Sequence, residues 1–373
     1  MFVRRHGGLF AFWKDDRDLH LLAPSDGRTS LRVGHAVQAL VEAASHWMPW
    51  GQALDQLSDA GAGEAQAQRV VRLLCDYGIL ESCETPTVAD DLPWSRWGNV
   101  ARLFHSHTRD APYFEDLEQK LRYVAEITSE PAPPVAKRYE GASVIALPMP
   151  VDPPRADYFA VLAARRTHRN FVAKAVSLEQ LSLLLAAAFG IQHYVDGAEF
   201  GQLTLRVAPN AGARHETEAY VYVRAVQGAD PGLYHYNPVE HTLECITPGE
   251  IEEDLASAVY DAPMIGAAPV LVLVTAVTER IAYKYRDGRA YRLWLYNVGH
   301  VGQTFVLSAT ALGLGAFQTA AFRESGLEHL LGIDGASEFM TYILGAGEVE
   351  DLRQPDNVAI TTLASPSRIT WRA

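Results

Sequence analysis

The chain has 373 residues, which is long for one ordinary domain and suits two domains joined by a linker. Hydrophobic residues make up 48% and charged residues 21%, proportions that are typical of a globular protein and exclude long disorder. The formal net charge of −13 disfavours a nucleic-acid partner, because most of the surface would repel a phosphate backbone.

Membrane and metal partners are not indicated by the sequence either. The most apolar run, residues 267–277, is about half of the roughly 20 residues that a spanning helix needs, and it favours a buried strand. The start of the chain lacks a signal-peptide cleavage site, so we expect a cytoplasmic protein. No His, Asp or Glu cluster has ligand spacing, and Cys75, Cys83 and Cys245 are too few for a four-ligand zinc site or a disulfide framework.

Residues 1–90 are predicted to form a small winged-helix-like domain. Apolar residues alternate near the start, then recur at helical spacing in three segments, and an extended segment follows Gly78. The third helix, from Ala65 to Tyr77, offers only Arg69 and Arg72 as cations, which disfavours DNA binding. Capture of an extended peptide at a sheet edge is the preferred interpretation, with a purely structural role as the alternative.

The remainder of the chain divides into a connecting region and a larger domain. Residues 91–154 are predicted to be a helical segment followed by a proline-rich linker, since seven prolines lie between residues 131 and 154. Residues 155–373 are predicted to form the catalytic domain. One helix there is well marked, because Ser177 and Gln180 form a capping box ahead of an apolar helical pattern that stops at Gly190.

A cluster of cations opens this domain. Arg165, Arg166 and Arg169 surround Thr167, and guanidinium groups with a neighbouring hydroxyl suit the oxygens of a phosphate. Taken alone, such a run is more typical of a solvated helix end.

Six motifs follow one another in an order that resembles the nitroreductase superfamily, and in particular its SagB-type branch of peptide azoline dehydrogenases. They are R-R-T-H-R-N-F, P-N-A-G-A-R-H, P-G-L-Y-H-Y, Y-K-Y-R-D-G-R-A-Y-R, V-G-H-V-G-Q and A-L-G-L-G, between about residues 159 and 348. The resemblance implies an α+β fold with an antiparallel-rich sheet flanked by helices. It also implies an FMN-binding homodimer that oxidises thiazolines or oxazolines to thiazoles or oxazoles in a ribosomally made peptide.

The resemblance assigns a role to each matching position. Lys284 and Tyr285 match the pair that removes a proton from the azoline ring. The positions implied to bind the flavin phosphate and ribityl chain, the flavin ring or the dimer-contributed part of the site are Arg165, Arg166, Thr167, Arg169, Pro209, Asn210, Gly212, His300, Gln303, Gly313, Gly315 and Phe317. Gly313, Gly315 and Phe317 match a loop that approaches the flavin ring. The implied partners are a second copy of the chain, the leader of a precursor peptide and a cyclodehydratase.

Three positions depart from the family pattern, which favours serine at Thr167 and Asn210 and often an acid at Asn297. Thr167 keeps the hydroxyl, whereas Asn210 changes the polarity beside the substrate. For Lys284 to act as a base, its pKa must fall through burial or through a cationic neighbour such as Arg286 or Arg289. His300 is more typical of a core or interface histidine than of a proton carrier.

Other functions fit the same sequence. The chain could be an NAD(P)H-dependent nitroreductase or flavin reductase, an oxidase of a carrier-bound dihydroheterocycle, or a catalytically silent peptide-recognition subunit. A flavin spectrum would argue against the silent subunit, and rapid bleaching by NADPH would favour the reductase.

Overall fold

The computed structural model describes residues 1–15, 18–25, 29–86, 92–110, 114–150, 152–260, 265 and 267–353. The chain forms two compact units, Met1–Phe114 and Glu115–Ala373. Residues 354–373 of the predicted catalytic domain lie outside the described residues.

The first unit combines short strands with helices. Its described strands are β1 (Phe2–Arg5), β2 (Phe10–Asp15), β3 (Asp18–Leu22), β4 (Ser30–Arg32), β5 (Met48–Pro49) and β6 (Leu80–Cys83). Its described helices are α1 (His35–Ala43), α2 (Trp50–Asp59), α3 (Glu64–Asp76) and α4 (Leu92–His107). The alternating pattern at the start is confirmed as the antiparallel pair β2 and β3, and the three predicted helices are α1 to α3.

One apolar core holds the first unit together. β1 is the middle strand of a sheet with β5 and β6, and it contributes the fully buried Val3. Leu40 of α1, Leu57 of α2 and Val71 of α3 pack in the same cluster, because each lies on the apolar face of its helix. The winged-helix assignment itself stays a prediction.

The second unit is built on a seven-stranded sheet in its described part. The sheet has the order β16-β17-β15-β11-β13-β14-β7, and all neighbouring strands are antiparallel. Its strands are β7 (Val144–Ala146), β11 (Thr217–Val223), β13 (Gly232–Asn237), β14 (Thr242–Pro248), β15 (Val270–Val277), β16 (Gly315–Thr319) and β17 (Glu338–Gly347). Two small ladders join β8 (Val176–Ser177) to β12 (Val226–Gln227), and β9 (His193–Asp196) to β10 (Gln202–Leu205).

Helices cover both faces of this sheet, which confirms the predicted α+β class. The described helices are α5 (Leu117–Thr128), α6 (Tyr158–Ala164), α7 (Leu178–Phe189), α8 (Glu252–Ala258), α9 (Thr278–Lys284), α10 (Ala290–Ala311) and α11 (Glu324–Leu331). One core contains leucines of α7 and Val301 and Phe305 of α10, and the other contains residues of α8 and α11. Alternation along β11 supplies both cores, since Val221 faces the first and Tyr220 the second.

Local signals explain where several of these elements begin. Ser177 and Gln180 form the predicted capping box at the start of α7, and Gly190 follows its last residue. The apolar run at residues 267–277 contains β15, which is buried almost throughout. The structure also has a strand inside the predicted proline-rich linker, because β7 pairs with β14 at the edge of the large sheet.

Candidate active site

Lys284 and Tyr285 lie at the end of a short helix that directly follows an inner strand of the sheet. α9 begins where β15 ends, and buried Ile281 and Tyr283 hold it against the core. Lys284 is its last residue, and Tyr285 leaves the helical conformation at φ −117° and ψ 88°. Both side chains are partly buried, which distinguishes this segment from an exposed loop.

The glycine of the Pro-Asn-Ala-Gly motif faces this pair. Gly212 lies in the 3-10 turn Ala211–Ala213 and has a φ of 62°. A Cβ atom added there would lie 2.8 Å from the Tyr285 hydroxyl and 3.1 Å from Lys284 Nζ. Glycine is needed here for the backbone conformation and for this close approach.

Lys284 is a desolvated cation beside an aromatic ring. Its Nζ lies 4.8 Å from the centre of the Phe200 ring, and the guanidinium carbon of Arg214 lies 5.8 Å from the same centre. Burial lowers the pKa of Lys284, and the positive charge of Arg214 lowers it further. This is the direction that a general base requires. Burial raises the pKa of Tyr285, although Arg214 opposes that effect, so its hydroxyl stays protonated near neutral pH.

The cation that influences the candidate base is not one of the two examples indicated by the sequence. Arg214 supplies the positive charge, rather than Arg286 or Arg289. The Arg286 guanidinium instead pairs with two glutamates. It lies 3.2 Å from Glu126 in α5 and 2.8 Å from Glu130, just after the end of that helix. Arg214 is the arginine of the P-N-A-G-A-R-H motif, and its place in that motif is the sequence feature that could have indicated it.

The two asparagines that depart from the family pattern are joined through one buried carboxylate. Asn210 Nδ2 donates to Glu216 at 2.8 Å, and its Oδ1 accepts from the His215 N–H at 2.9 Å. Asn297 Nδ2 donates to the other Glu216 oxygen at 2.9 Å, while its Oδ1 accepts from the Ala211 N–H at 3.2 Å. These bonds fix the turn that carries the glycine, so the Asn210 side chain braces the loop.

A residue that sequence reasoning missed holds the Lys284 backbone. The Tyr123 hydroxyl of α5 donates to the Lys284 carbonyl at 2.8 Å and accepts from the Arg286 N–H at 3.3 Å. Fully buried Ile127 anchors the same helix. Tyr123 had no sequence signal, since it lies in the region predicted to be a helical segment and linker.

The predicted phosphate cluster lies beside β16. Thr167 forms a bridge with Ala316, and the His168 N–H donates to the Ala316 carbonyl at 2.9 Å. Arg165 follows α6 as its cap, and Arg166 Nη1 donates to the carbonyls of Ala163 and Arg165 at 2.9 and 2.7 Å. Arg169 is exposed.

The three positions that were matched to one flavin-approaching loop belong to a turn and a strand. Gly313 has a φ of 77° in the turn after α10, whereas Gly315 and Phe317 lie in β16. Phe317 is 1% exposed and packs on Phe171, with the ring centres 6.1 Å apart. The side chain of Phe317 is therefore a core group, because strand alternation turns it toward the interior.

His300 and Gln303 are both exposed on α10. His300 Nδ1 donates to the Pro209 carbonyl at 3.0 Å. The histidine thereby touches the Pro-Asn-Ala-Gly loop. Leu295 and Tyr296 are exposed one turn earlier on the same helix, at 61% and 54%.

These contacts gather the predicted residues into two clusters. The first cluster contains Pro209, Asn210, Gly212, Lys284, Tyr285 and His300. The cation cluster contains Arg165, Arg166, Thr167 and Arg169 and lies beside Gly315. Gln303 lies three residues after His300 on α10, and none of the contacts given above joins it to either cluster.

Among the described helices, none is long and apolar enough to cross a bilayer. Within the described ranges, no three His, Cys, Asp or Glu side chains are grouped so that they could hold a metal ion.

Comparison with known proteins adds the family. The model of the Nitroreductase family matches residues 162–348, which is half of the chain. The chain belongs to the nitroreductase family. A protein of Methanocaldococcus jannaschii that bears the name nitroreductase is 35% identical over 173 residues, covering 46% of this chain and 83% of the relative.

A second relative of this nitroreductase-family chain is the trifolitoxin-processing protein of Rhizobium leguminosarum bv. trifolii. It is 32% identical over 166 residues, covering 43% of this chain and 44% of that protein. A solved structure from Anabaena variabilis, also named a nitroreductase, superimposes with a TM-score of 0.51 at 22% identity. That match covers 72% of this chain and 49% of the Anabaena chain, and it shows the shared fold.

Members of the nitroreductase family bind a flavin, and the cation cluster has the chemistry for the flavin phosphate. Three guanidinium groups and a hydroxyl lie within five residues, and all of them can donate hydrogen bonds to phosphate oxygens. Gly315 lets this segment run close to β16, because a Cβ atom there would lie 3.0 Å from His168 Cβ. The helix α5 and the strand β7 lie before the residues that the family model matches.

Proposed function

We propose that this chain is an FMN-dependent dehydrogenase that oxidises azolines to azoles in a ribosomally made peptide. The observation that carries the proposal is the contact between Gly212 and the partly buried Lys284 and Tyr285, in a chain of the nitroreductase family. The similarity to a trifolitoxin-processing protein supports a peptide as the substrate.

FMN would be held by the residues to which the resemblance assigns that role. Arg165, Arg166, Thr167 and Arg169 would bind its phosphate and ribityl chain, while Pro209, Asn210 and Gly212 would lie beside its ring. When bound, FMN supplies the acceptor for the hydride that leaves the β-carbon of the azoline.

Lys284 handles the proton in this scheme. The α-carbon of the ring loses a proton as the β-carbon loses a hydride, so the base must reach one face of the ring. The lowered pKa of Lys284 increases the fraction of neutral amine at neutral pH, and neutral amine is the form that accepts a proton. Tyr285, protonated and in contact with the same glycine, assists by hydrogen bonding.

The second copy of the chain would complete the flavin site through α10. Exposed Leu295 and Tyr296 give this helix an apolar surface next to His300 and Gln303. Burying such a surface in a homodimer is favourable, and it would bring these two polar residues to the flavin of the partner. Sedimentation should show a dimer that holds FMN; a stable monomer with bound FMN would contradict this part.

The first unit would bind the unmodified leader of the precursor peptide, and a cyclodehydratase would supply the azoline rings. A peptide strand could add to the short sheets of this unit, which also exposes Phe10 and Trp13. Deleting residues 1–114 should raise the KM for leader-bearing peptide while flavin content and kcat stay the same. An unchanged KM would reject this assignment.

The activity is tested by mass spectrometry of an azoline-bearing peptide after incubation with the purified chain and FMN. Loss of two hydrogens per ring is the expected result, and Lys284→Ala protein with normal flavin content is the matched control. If the peptide mass is unchanged while NADPH rapidly bleaches the flavin, the chain is a reductase instead. A colourless protein that still binds the peptide would identify a recognition subunit.

A further inference from the structure

Arg214 is a buried cation without a counter-ion. Its side chain is 8% exposed, and in the described structure its one hydrogen bond runs from Nε to the Gly212 carbonyl at 3.1 Å. Its guanidinium carbon lies 5.8 Å from the Phe200 ring centre and 5.7 Å from that of Tyr283. No carboxylate of the described residues forms an ion pair with it.

This environment is unusual for a buried charge. Removing a guanidinium from water is costly unless a carboxylate or a full set of acceptors replaces the water. Aromatic faces compensate only in part, since a cation–π contact contributes less than a charge-assisted hydrogen bond to an anion. Burial lowers the pKa of Arg214, and among the described residues the Tyr283 and Tyr285 phenols oppose that effect. The partly buried Arg206, by comparison, has Glu218 and Glu216 within electrostatic reach.

The position of Arg214 connects it to the proposed chemistry. Its Nε holds the carbonyl of Gly212, the residue that touches Lys284 and Tyr285, and it shares the Phe200 ring with Lys284. Lys284 likewise has no carboxylate partner among the described residues. The Arg214 guanidinium and the Lys284 amine share one aromatic ring next to the point of proton removal. Because no described carboxylate balances the guanidinium, its charge is available to an anionic oxygen of a ligand.

We propose that Arg214 binds the carbonyl oxygen attached to the reacting α-carbon and stabilises the negative charge that develops there. This inference rests on the proposed function. As the α-carbon–hydrogen bond breaks, the proton goes to Lys284 Nζ and the bonding electron pair is delocalised toward the carbonyl oxygen. That pair forms the ring double bond when the β-carbon loses its hydride, for which the flavin would be the acceptor. The guanidinium, held in place by the Gly212 carbonyl, donates its Nη hydrogens to that oxygen.

A binding experiment tests the site without turnover. Full-length protein is titrated calorimetrically with 2-methylthiazole-4-carboxylate and with 2-methylthiazole-4-carboxamide, which differ in the charge on the oxygens that Arg214 would bind. Wild type should bind the carboxylate about 10- to 100-fold more tightly than the amide. Arg214→Gln should abolish this preference, and Arg214→Lys should retain only part of it, because it keeps the charge and loses the planar fork.

Arg286→Gln is the matched control for the titration. It removes a cation from the same short segment as Lys284, but one that is exposed and paired with glutamates, so the preference for the carboxylate should stay as in wild type. Equal binding of both compounds by wild type, or an undiminished preference in Arg214→Gln protein with a wild-type Tm, would overturn the proposal.

The pH dependence of turnover gives a second, independent measurement. Loss of the Arg214 charge raises the pKa of Lys284, so the rising limb of kcat/KM against pH should move to higher pH in Arg214→Gln and stay near its wild-type position in Arg214→Lys. An unmoved limb in Arg214→Gln would contradict the role beside Lys284. If wild type oxidises no azoline, the proposed function fails, whereas the titration still decides whether Arg214 binds an anionic oxygen.

Discussion

Two groups of cations in the second unit differ in how their charge is balanced. Arg280 lies 2.5 Å from Glu218, and Lys137 lies 2.6 Å from Glu338. Arg214 and Lys284 have no such carboxylate among the described residues, although both are desolvated.

The pKa values follow this difference. Burial acts to lower the pKa of Lys137, but the hydrogen bond and charge of Glu338 outweigh it, so the pKa is raised. At Lys284 burial and a neighbouring cation act together, and the pKa is lowered. For Glu218, burial acts to raise the pKa, whereas Arg280 and His235 bring it down to about 2.

Arg280 and Lys137, the two cations that are paired with carboxylates, hold segments of the chain in place. Arg280 Nε donates to the Pro134 carbonyl at 2.8 Å, and the Lys137 N–H donates to Glu218 at 3.2 Å. These bonds fasten the chain that follows α5 to the sheet. Charges that are balanced inside the protein fix its segments, whereas Arg214 and Lys284, next to Gly212, are the groups to which the proposals assign contact with the substrate.

Removing Lys284 should give the largest effect on activity and little effect on stability. Lys284→Ala is expected to lower kcat by about 10²- to 10⁴-fold, the range for a missing general base, because the Lys284 amine lies beside the Gly212 turn. Tyr285→Phe should fall between this variant and wild type if the phenol only assists. Steady-state kinetics at matched flavin content measures both.

Lys174→Ala serves as the control, because Lys174 is an exposed lysine paired with Glu348. It should retain wild-type kcat. A flavin-loaded Lys284→Ala protein with wild-type turnover would show that the segment around Lys284 is structural. It would then have no catalytic role to set against the paired cations Arg280 and Lys137.

Breaking the ion pair of Arg280 and Glu218 should instead lower the stability of the folded chain. Arg280→Gln leaves Glu218 buried with less compensation, and the free energy of unfolding should fall by about 3–5 kcal/mol. Urea unfolding measures this loss. Arg138→Gln is the control, since its pair with Glu240 is exposed and should contribute at most about 1 kcal/mol. Similar urea midpoints for the two variants would contradict the structural role.

The ion pair of Arg280 and Glu218 also predicts how the stability of the folded chain depends on pH. The pKa of Glu218 is about 2 in the folded chain and 4.5 as its ordinary value, so the unfolded state binds a proton first on acidification. The stabilisation by Glu218 is complete above about pH 4.5 and is lost as the pH falls toward 2. Arg280→Gln should weaken this acid dependence, as measured by Tm at successive pH values.

The cation cluster beside β16 should respond as a ligand site. Arg165→Ala is expected to weaken FMN binding by roughly 10- to 150-fold, because one charge-assisted contact contributes about 1.5–3 kcal/mol. Fluorescence titration of the apoprotein gives the Kd. Arg155→Ala removes an exposed arginine outside the cluster and should leave Kd unchanged. Equal flavin affinity in both variants would argue against the phosphate assignment.

A smaller effect is expected from Tyr123, which positions Lys284 from α5. Tyr123→Phe removes the hydroxyl between the Lys284 carbonyl and the Arg286 N–H, and kcat should fall by about 2- to 13-fold with KM unchanged. Glu118→Gln, on the same helix but directed to an exposed pair with Arg122, should have no effect. A change in KM alone would mean that α5 contacts the peptide.

Several features of this protein follow from the sequence by itself. The ordered motifs indicated the family, and the resemblance named Lys284, Tyr285, Pro209, Asn210 and Gly212 as site residues. Local signals also predicted individual elements, because a capping box or an alternating strand depends on residues close together in the chain. α7 and β15 are examples.

Other features were decided only by tertiary structure. Tyr123 and Lys284 are 161 residues apart, and Glu216 and Asn297 are 81 apart, so neither contact leaves a periodic pattern. The structure places Phe317 in β16 with a buried side chain, and the packing around Phe200 places Arg214 as the charge beside Lys284. Such choices depend on which distant segments pack together and on how much water remains between them, and local sequence patterns encode neither.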